Sequence, residues 1–255
     1  MLLAEERYEK ILEMLEKDRS VKVSMLTKMF GVSIETIRRD LEHLEKQGLL
    51  ERVYGGAVLS KISSRQLPFK TREKEHLEEK QEIAEIASRF ISEGQSIAVD
   101  ASTTAFEVVK VLKSKFQRLT VLTNSLHVAN ELSNMEKYTV ILAGGILKNE
   151  ELSLSGMLTE YAISQFNIDT AFIGVSGISL KDGLTDYMFD QLPIQRKMIE
   201  VSQQSIVLAH SNKFDTSSLI KICDIDEINM IITDSKIKPN VLERYQKAGI
   251  DIINK

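Results

Sequence analysis

The chain has no tryptophan, one cysteine, three prolines and four histidines among its 255 residues. The single cysteine, Cys223, cannot form an intrachain disulfide, which suits a reducing compartment. No apolar run approaches the length of a membrane span, and acidic Glu5 and Glu6 near the start do not suit a secretory leader. We therefore expect a cytoplasmic protein without a membrane anchor.

The chain also has no excess of basic charge, since its formal net charge is −4. A polybasic nucleic-acid binder is therefore excluded, although basic residues are concentrated locally. Residues 19–56 carry seven basic side chains against five acidic ones, and residues 61–74 carry five against one. Any binding to DNA would rest on these groups and on dimerisation. The histidines are dispersed without ligand spacing, so we expect neither a metal site nor a cofactor.

The stretch from Ser33 to Leu41 has the pattern of a DNA recognition helix. Ser33 is a good N-cap. Apolar residues recur at helical spacing and define one face: Ile34, Ile37, Leu41 and Leu44. Arg39 projects nearly opposite that face, and Thr36 and Arg38 flank it. Two arginines and a hydroxyl there suit contacts to phosphates and guanine edges. A solvated amphipathic helix would show the same pattern.

The flanking segments extend the pattern to a winged helix-turn-helix. Residues 24–30 predict a preceding helix, and Gly31 stands where a helix end favours a positive φ. After the recognition helix, residues 49–54 alternate like a strand, Gly55-Gly56 makes a turn, and residues 57–59 return. Residues 21–23 predict a short strand that pairs with this wing.

These features resemble the N-terminal domain of the DeoR family of bacterial transcription regulators. The positions of that family's signature are all filled at the expected spacing: Arg7, Ile11, Leu15, Ser33, Thr36, Ile37, Arg38, Arg39, Asp40 and Leu41. The sequence from Arg52 to Ala57 is typical of the family's wing. Residues 1–58 are therefore expected to bind DNA through the following side chains: Ser33, Thr36, Arg38, Arg39, Arg52 and Tyr54. For Asp40 we expect a structural role, orienting a neighbouring arginine, because phosphates repel a carboxylate.

Residues 59–75 have the composition of a linker, and a second pattern begins at residue 76. A helix is predicted from Glu78 to Ile91. Short apolar strands separated by helix-length segments follow: Ser96–Val99, Thr120–Leu122, Thr139–Leu142, Thr170–Ile173, Ser205–Leu208, Met230–Thr233 and Ile250–Ile253. This alternation predicts a doubly wound α/β domain over residues 76–255, with a mainly parallel sheet covered on both faces.

Small and polar residues follow five of these strands. The groups are Asp100–Thr104, Thr123–Ser125, Gly144-Gly145, Gly174–Gly177 and His210–Lys213. Ligands of such sheets bind beyond the carboxyl ends of the strands, so five groups at one edge predict a polar ligand site. Ser102–Thr104 at a helix N-terminus and Lys213 suit a phosphate. Asp100, Asn124 and Asp186 suit sugar hydroxyls, although Asp100 could instead be only a helix N-cap.

Residues 76–255 resemble the DeoR-family sensor domain, whose fold is similar to ribose-phosphate isomerases and glucosamine-phosphate deaminases. The matching motifs also include Gly183–Asp186 and Ser211–Phe214. The expected effector-binding residues are Asp100, Ser102, Thr103, Thr104, Thr123, Asn124, Ser125, Gly144, Gly145, Gly174, Ser176, Gly177, Asp186 and Lys213. Three positions depart from the family pattern: His210 replaces the usual Asp, Gln191 a common Glu, and Gln195 a common Lys. These departures predict one of two outcomes. The pocket binds a different sugar phosphate from that of other family members, or it has lost the family's ligand-binding residues and is poorly occupied.

The two resemblances imply a repressor of a sugar-metabolism operon that a phosphorylated sugar releases from operator DNA. Repression and activation both remain open, as do a homodimer and a homotetramer. An alternative is a sugar-phosphate isomerase or deaminase-like enzyme with an appended DNA-binding domain, using Asp100, Asp186 and His210 in acid–base chemistry. A further alternative is a structural DNA-binding protein without a ligand. We expect no catalytic residues, because no dense carboxylate cluster is visible and an enzyme would leave the winged helix unexplained.

Overall fold

The computed structural model describes residues 3–18, 20–46, 49–58 and 67–255, and the contacts within it divide the chain into two compact units, Met1–Leu67 and Pro68–Lys255. Residues 59–66 of the predicted linker lie outside the described residues, as does the last residue of the predicted wing, Leu59. The remainder of that linker is corrected by the structure. Residues Phe69–Lys74 form a helix because the aromatic side chain of Phe69, only 1% exposed, packs into the core of the second unit.

The first unit has the element order of a winged helix-turn-helix. Its elements are α1 (Ala4–Asp18), β1 (Ser20–Lys22), α2 (Val23–Phe30), α3 (Ile34–Lys46), β2 (Glu51–Val53) and β3 (Gly56–Val58). Strand β3 pairs antiparallel with both β1 and β2. Gly31 ends α2 with φ at 65°, and its N–H donates to the carbonyl of Thr27. The predicted helices, glycine turn and wing are all present.

One apolar face of α3 supplies much of the core of the first unit. Ile37, Leu41 and Leu44 are buried there with Leu26 of α2. Ile34, predicted on the same face, is 53% exposed. It starts the helix, and its side chain lies in the first turn, ahead of the residues that pack into the core.

The second unit contains a seven-stranded parallel sheet with the order β15-β14-β12-β9-β4-β5-β6. These strands are β4 (Ser96–Val99), β5 (Thr120–Thr123), β6 (Thr139–Leu142), β9 (Ile168–Gly174), β12 (Ser202–Leu208), β14 (Met230–Ile232) and β15 (Ile252–Ile253). All seven predicted strands are present, with ends shifted by up to three residues. The predicted parallel α/β sheet is confirmed.

Helices cover both faces of this sheet, and buried apolar clusters lie on each side. The helices are α4 (Phe69–Lys74), α5 (Leu77–Ala87), α6 (Thr103–Lys115), α7 (Leu126–Leu132), α8 (Met157–Ser164), α9 (Leu192–Glu200) and α10 (Pro239–Lys247), with short 3₁₀ turns at Ser88–Phe90, Ser211–Lys213 and Ile225–Glu227. Among the described residues, no helix has both the length and the apolar character needed to cross a membrane.

Two small antiparallel sheets were not predicted. Strands β7 (Ile146–Lys148) and β8 (Ser153–Ser155) form a hairpin. Strands β10 (Gly177–Ser179), β11 (Gly183–Asp186) and β13 (Ile220–Cys223) form the other sheet. Both lie in the segments between the strands of the large sheet, which the sequence pattern treated as helix-length connections.

The order of the large sheet contains a switch point between β4 and β9. From β4 the chain proceeds outward to β5 and β6, and from β9 it proceeds the other way to β12, β14 and β15. The loops at the carboxyl ends of β4 and β9 therefore diverge and leave a crevice, which is where open α/β sheets bind ligands.

Candidate functional site

Two of the residues predicted to contact DNA cap the N-terminus of α3. The Thr36 backbone N–H donates to Ser33 Oγ at 3.1 Å, and the two side-chain hydroxyls lie 2.8 Å apart. These bonds satisfy donors that an uncapped helix would leave unpaired. Ser33 and Thr36 therefore set the start of the helix, and Ser33 remains exposed.

The two arginines of α3 are exposed on the side away from the core. The Arg39 side chain is 78% exposed, and its Nε lies 3.8 Å from a carboxylate oxygen of Glu35. An exposed ion pair of this kind contributes little to stability, so it does not hold the guanidinium back from another partner.

The wing is tied to α3 through Arg52. Its backbone N–H donates to Glu45 Oε1 at 2.9 Å, and its Nε donates to Glu45 Oε2 at 2.6 Å. These bonds, the backbone one foremost, lower the pKa of Glu45. Tyr54 at the adjacent turn is fully exposed. Arg52 thus orients the wing, and Tyr54 is accessible at its tip.

Asp40 orients an arginine, as expected, but that arginine is Arg7 of α1 rather than a neighbour on α3. Arg7 Nε and Nη2 donate to the two carboxylate oxygens of Asp40 at 2.7 and 2.8 Å. The two side chains are 9% and 4% exposed, and this bidentate contact raises the pKa of Arg7. The ion pair fixes α1 against the helix that carries Arg38 and Arg39.

A cavity opens in the second unit at the switch point between β4 and β9. Eight of the predicted effector-binding residues line it: Asp100, Ser102, Thr103, Thr104, Gly174, Ser176, Asp186 and Lys213. The loop after β4 and the N-terminus of α6 form one wall, and the loop after β9 forms another. The prediction of a polar site at the strand ends therefore coincides with a cavity.

Asp100 joins the two walls. Its Oδ1 accepts the Ser102 N–H at 3.0 Å, and its Oδ2 accepts the Gly174 N–H at 3.0 Å. The N-cap of α6 is Ser102, whose Oγ accepts the Ala105 N–H at 3.2 Å, so Asp100 is not the cap. Burial raises the pKa of Asp100 to about 6.

Gln195 of α9 connects Asp100 with Asp186. Its Nε2 lies 3.0 Å from the Gly174 carbonyl oxygen, 3.3 Å from Asp100 Oδ2 and 3.5 Å from Asp186 Oδ2. Asp186 Oδ1 accepts from Ser176 Oγ at 3.2 Å and from two backbone N–H groups of the following turn. One neutral amide therefore stands between two buried carboxylates.

The other six predicted effector-binding residues do not line the cavity. They are Thr123, Asn124, Ser125, Gly144, Gly145 and Gly177. The β7–β8 hairpin covers the ends of β5 and β6, because backbone bonds join Asn124 to Leu154 and Leu126 to Leu152. Ser125 caps α7. These residues have structural partners, which the strand-end pattern could not distinguish from a ligand.

Asn124 keeps an indirect connection with the cavity. Its Nδ2 donates to Gln191 Oε1 at 2.7 Å, and Gln191 lines the cavity. The Gln191 Nε2 donates in turn to Ser153 Oγ at 3.0 Å in the hairpin. Gln191 therefore belongs to a hydrogen-bonded chain between the hairpin and the cavity.

The segment from α4 to α5 supplies a part of the wall that the sequence pattern did not predict. Arg72, Glu75, His76 and Lys80 all line the cavity. Lys80 is 3% exposed, and burial lowers its pKa to about 8. A usable signal existed, because Lys80 lies three and four residues before the buried Ile83 and Ala84 and so shares their apolar face.

His210 is also in the wall and is neutral. Its ring stacks on that of His76 with the centroids 4.3 Å apart. Burial foremost, together with the nearby positive charge of Lys213, lowers its pKa to about 2. Among the described residues its Nδ1 has no hydrogen-bond partner.

Comparison with known proteins assigns both units. The family model of the DeoR-like helix-turn-helix domain matches residues 7–63, and that of the DeoR C terminal sensor domain matches residues 75–235. The chain belongs to the DeoR family. Relatives of this DeoR-family chain are named as transcriptional regulators and repressors and not as enzymes. It is a DNA-binding transcriptional regulator, and the enzyme alternative is not favoured.

Two relatives and one solved structure illustrate the similarity. The HTH-type transcriptional regulator YulB of Bacillus subtilis (strain 168) is 38% identical over 251 residues, covering 98% of this chain and 96% of the relative. The glycerol-3-phosphate regulon repressor of Escherichia coli (strain K12) is 32% identical, covering 93% and 94%. Ribose 5 phosphate isomerase A from Neisseria gonorrhoeae is 14% identical, covers 55% of this chain and 54% of its own, and gives a TM-score of 0.39.

Proposed function

We propose that this regulator is a repressor of a sugar-metabolism operon, and that a phosphorylated sugar bound in the cavity of the second unit releases it from operator DNA. The observation that carries the proposal is the cavity, in which a helix N-terminus, hydroxyls, cations and carboxylates converge at the switch point of the sheet. The relative that represses a glycerol-3-phosphate regulon supports an effector of this chemical class.

Operator binding is assigned to α3 and the wing. Arg38 and Arg39 are exposed on α3, opposite the face that packs into the core, and they are the groups for phosphates and base edges. Ser33 and Thr36 set the N-terminus of the helix. Arg52 holds the wing against α3 and leaves Tyr54 exposed at its turn, where it can reach the DNA backbone.

We assign the N-terminus of α6 as the binding position of the effector's phosphate group. Thr103 and Thr104 occupy the first turn after the Ser102 cap, where N–H groups are directed out of the helix and the helix dipole favours an anion. Lys80 and Lys213 add positive charge to the same cavity. Asp100 and Asp186 are then available to bind the sugar, because carboxylates accept hydrogen bonds from hydroxyl groups.

We assign to helix α4 the role of transmitting effector binding from the cavity to the DNA-binding unit. It is the first helix of the second unit, and its Arg72 lines the cavity while pairing with the buried Glu151. Lys80 Nζ donates to the carbonyl of Arg72, and the carbonyl oxygen of Glu73 lies 3.5 Å away. An entering phosphate competes with Glu151 and with these carbonyls for the two cations. The end of α4 then changes its partners, and the preceding segment connects directly to the DNA-binding unit.

The regulator is assigned as a homodimer or homotetramer, which would present two winged helices to an inverted repeat. Large apolar side chains lie exposed around the β7–β8 hairpin and α8: Ile146, Leu147, Met157, Leu158, Tyr161 and Phe189. Ile146, Leu147 and Phe189 line one shallow groove. Exposed apolar side chains of this size favour association between copies of the chain.

One titration tests the proposal. An operator duplex is first selected from random sequences by the protein itself, and sugar phosphates and their unphosphorylated parents are then added to the complex. At saturation we expect roughly 5–150-fold weaker operator binding with the phosphorylated form, the range of a typical coupling free energy. Lys213→Ala should weaken the response, whereas Lys181→Ala, in an exposed turn of the same unit, should not.

The mutual effect of operator and effector on each other's binding provides a second test of this proposal. Operator DNA must weaken effector binding by the same factor as the effector weakens operator binding. Equal effector dissociation constants with and without DNA would refute control by this route. Tighter effector binding on DNA would show a corepressor or activator mechanism instead.

A further inference from the structure

The acidic side of the cavity contains two buried carboxylates without a cation. Asp100 and Asp186 are 3% and 5% exposed. Within the described part of the chain, neither carboxylate lies within 4.0 Å of a lysine, arginine or histidine nitrogen, although such ion pairs occur elsewhere in the same unit. Buried carboxylates are normally paired or fully hydrogen-bonded, so this arrangement requires an explanation.

The hydrogen bonds available to these carboxylates are incomplete. The Gln195 amide has two N–H donors, yet its nitrogen faces three acceptors: the Gly174 carbonyl oxygen, Asp100 Oδ2 and Asp186 Oδ2. Its shortest contact is to the carbonyl, and its contact with Asp186 Oδ2 is 3.5 Å. No other bond to Asp186 Oδ2 is present among the described residues, so that oxygen can accept further donors.

A third acceptor accompanies the carboxylates. Gln195 is 3% exposed and lines the cavity, and its Oε1 has no hydrogen-bond partner in the described part of the chain. A buried amide oxygen without a donor is costly to the folded protein, which makes a ligand donor there favourable. Asp100, Asp186 and Gln195 thus offer oxygen atoms that can accept further hydrogen bonds. The two carboxylates also provide negative charge that no cation among the described residues neutralises.

The cations of the cavity gather at another part of the wall. His210 stacks on His76, and Lys80 and Lys213 lie near enough to His210 to act on its charge. The contacts of Asp100 are instead with Ser102, Gly174 and Gln195. The cavity is therefore basic around His210 and acidic around Gln195, which matches a ligand that carries both an anion and a cation.

We propose that the effector is a phosphorylated amino sugar, whose protonated amine is bound by Asp100, Asp186 and Gln195 Oε1. This inference rests on the proposed function, because it names the class of sugar phosphate that fills the same cavity. An ammonium group has three donors and one positive charge, so it can meet both carboxylates and the amide oxygen together. A sugar hydroxyl has one donor and leaves the two charges unneutralised.

Three ligands that differ only at one position of the sugar test the proposal: glucosamine 6-phosphate, glucose 6-phosphate and N-acetylglucosamine 6-phosphate, with the galactose-configured set run in parallel. Binding to the full chain is measured by calorimetry at pH 7. We expect the amine to bind at least about tenfold more tightly than the matched hydroxyl, since a hydrogen bond to a charged group exceeds a neutral one by roughly that factor. The acetylated nitrogen, which has no charge, should show no such preference.

A variant that supplies its own cation is the matched control. In Gln195→Lys the ammonium of the side chain replaces that of the ligand, so the preference for the amine should disappear while the hydroxyl form still binds. Gln195→Met, which is similar in length but carries no charge, removes only the amide acceptor and should reduce the preference without abolishing it.

Equal affinity of the unmodified protein for the amine and hydroxyl forms would overturn the amine proposal and leave the sugar-phosphate proposal intact. Binding of none of these ligands, and of no other sugar phosphate, would overturn both proposals. Because the comparison among ligands needs no substitution, failure of a variant to fold would not remove the test.

Discussion

Replacing Asp40 with alanine would remove the carboxylate that holds the buried Arg7 guanidinium through a bidentate contact. The carboxylate accepts two hydrogen bonds from Arg7, at 2.7 and 2.8 Å, and water has little access because the two side chains are 9% and 4% exposed. Removing one member of a buried ion pair destabilises a protein by about 3–5 kcal/mol, mostly because the other charge stays buried and unpaired.

That loss is large for a unit of this size. Globular proteins have roughly 0.05–0.15 kcal/mol of stability per residue, so a unit that ends at Leu67 has about 3–10 kcal/mol in total. Asp40→Ala should therefore partly unfold the first unit and leave the second unit folded. Operator affinity should fall with the folded fraction, although Asp40 points away from the exposed face of α3.

Hydrogen exchange followed by mass spectrometry measures this effect unit by unit in the full chain. Protection of the amides in α1 should fall by roughly a hundredfold to several thousandfold, whereas protection in the parallel sheet should not change. The double variant Arg7→Met with Asp40→Leu replaces the ion pair by apolar side chains and should restore both protection and operator binding.

Two results would refute this reasoning. Less than about a tenfold loss of protection in Asp40→Ala would show that Arg7 is not dependent on its partner. If the double variant recovered protection without recovering operator binding, then Arg7 or Asp40 would act on DNA directly rather than through the position of α3.

Further predictions concern the other surfaces. Arg39→Ala should weaken specific operator binding by about 1–3 kcal/mol in a gel shift at physiological salt, and unchanged affinity would contradict its assignment to base contacts. Between pH 7 and pH 5 the unfolded chain protonates His210 while the folded chain keeps it neutral, so its contribution should lower stability by about 2 kcal/mol; the melting temperature of His210→Asn should therefore fall less over that interval. Gly174→Ala places a methyl group against the serine that caps α6, and it should abolish the thermal shift caused by sugar phosphates. Leu158→Glu should dissociate the oligomer in sedimentation experiments, whereas Leu219→Glu, at a similarly exposed leucine, should not.

Only some of the polar residues that follow the strands belong to the cavity. The pattern of small and polar residues after each strand predicted that Asp100, Ser102 and Gly174 would meet, and they do. The same pattern also selected Asn124 and Gly145, which the β7–β8 hairpin engages instead. A strand-end motif is local, whereas the loop that covers it comes from elsewhere in the chain.

What the sequence determined by itself was the identity of the elements. Apolar residues at helical spacing in α3, a glycine after α2 and uninterrupted apolar strands in the sheet are local patterns, and local patterns suffice to predict helices, turns and strands. The order of these elements along the chain then indicated a winged helix-turn-helix followed by a parallel α/β domain.

What only the tertiary structure decided was which side chains meet across long separations. Arg7 pairs with Asp40, Arg72 pairs with Glu151, and Gln195 reaches Asp100. These contacts depend on strand order and helix packing, which bring distant segments together once apolar faces are buried. No spacing within one segment encodes them, because the free energy that creates them comes from packing between segments.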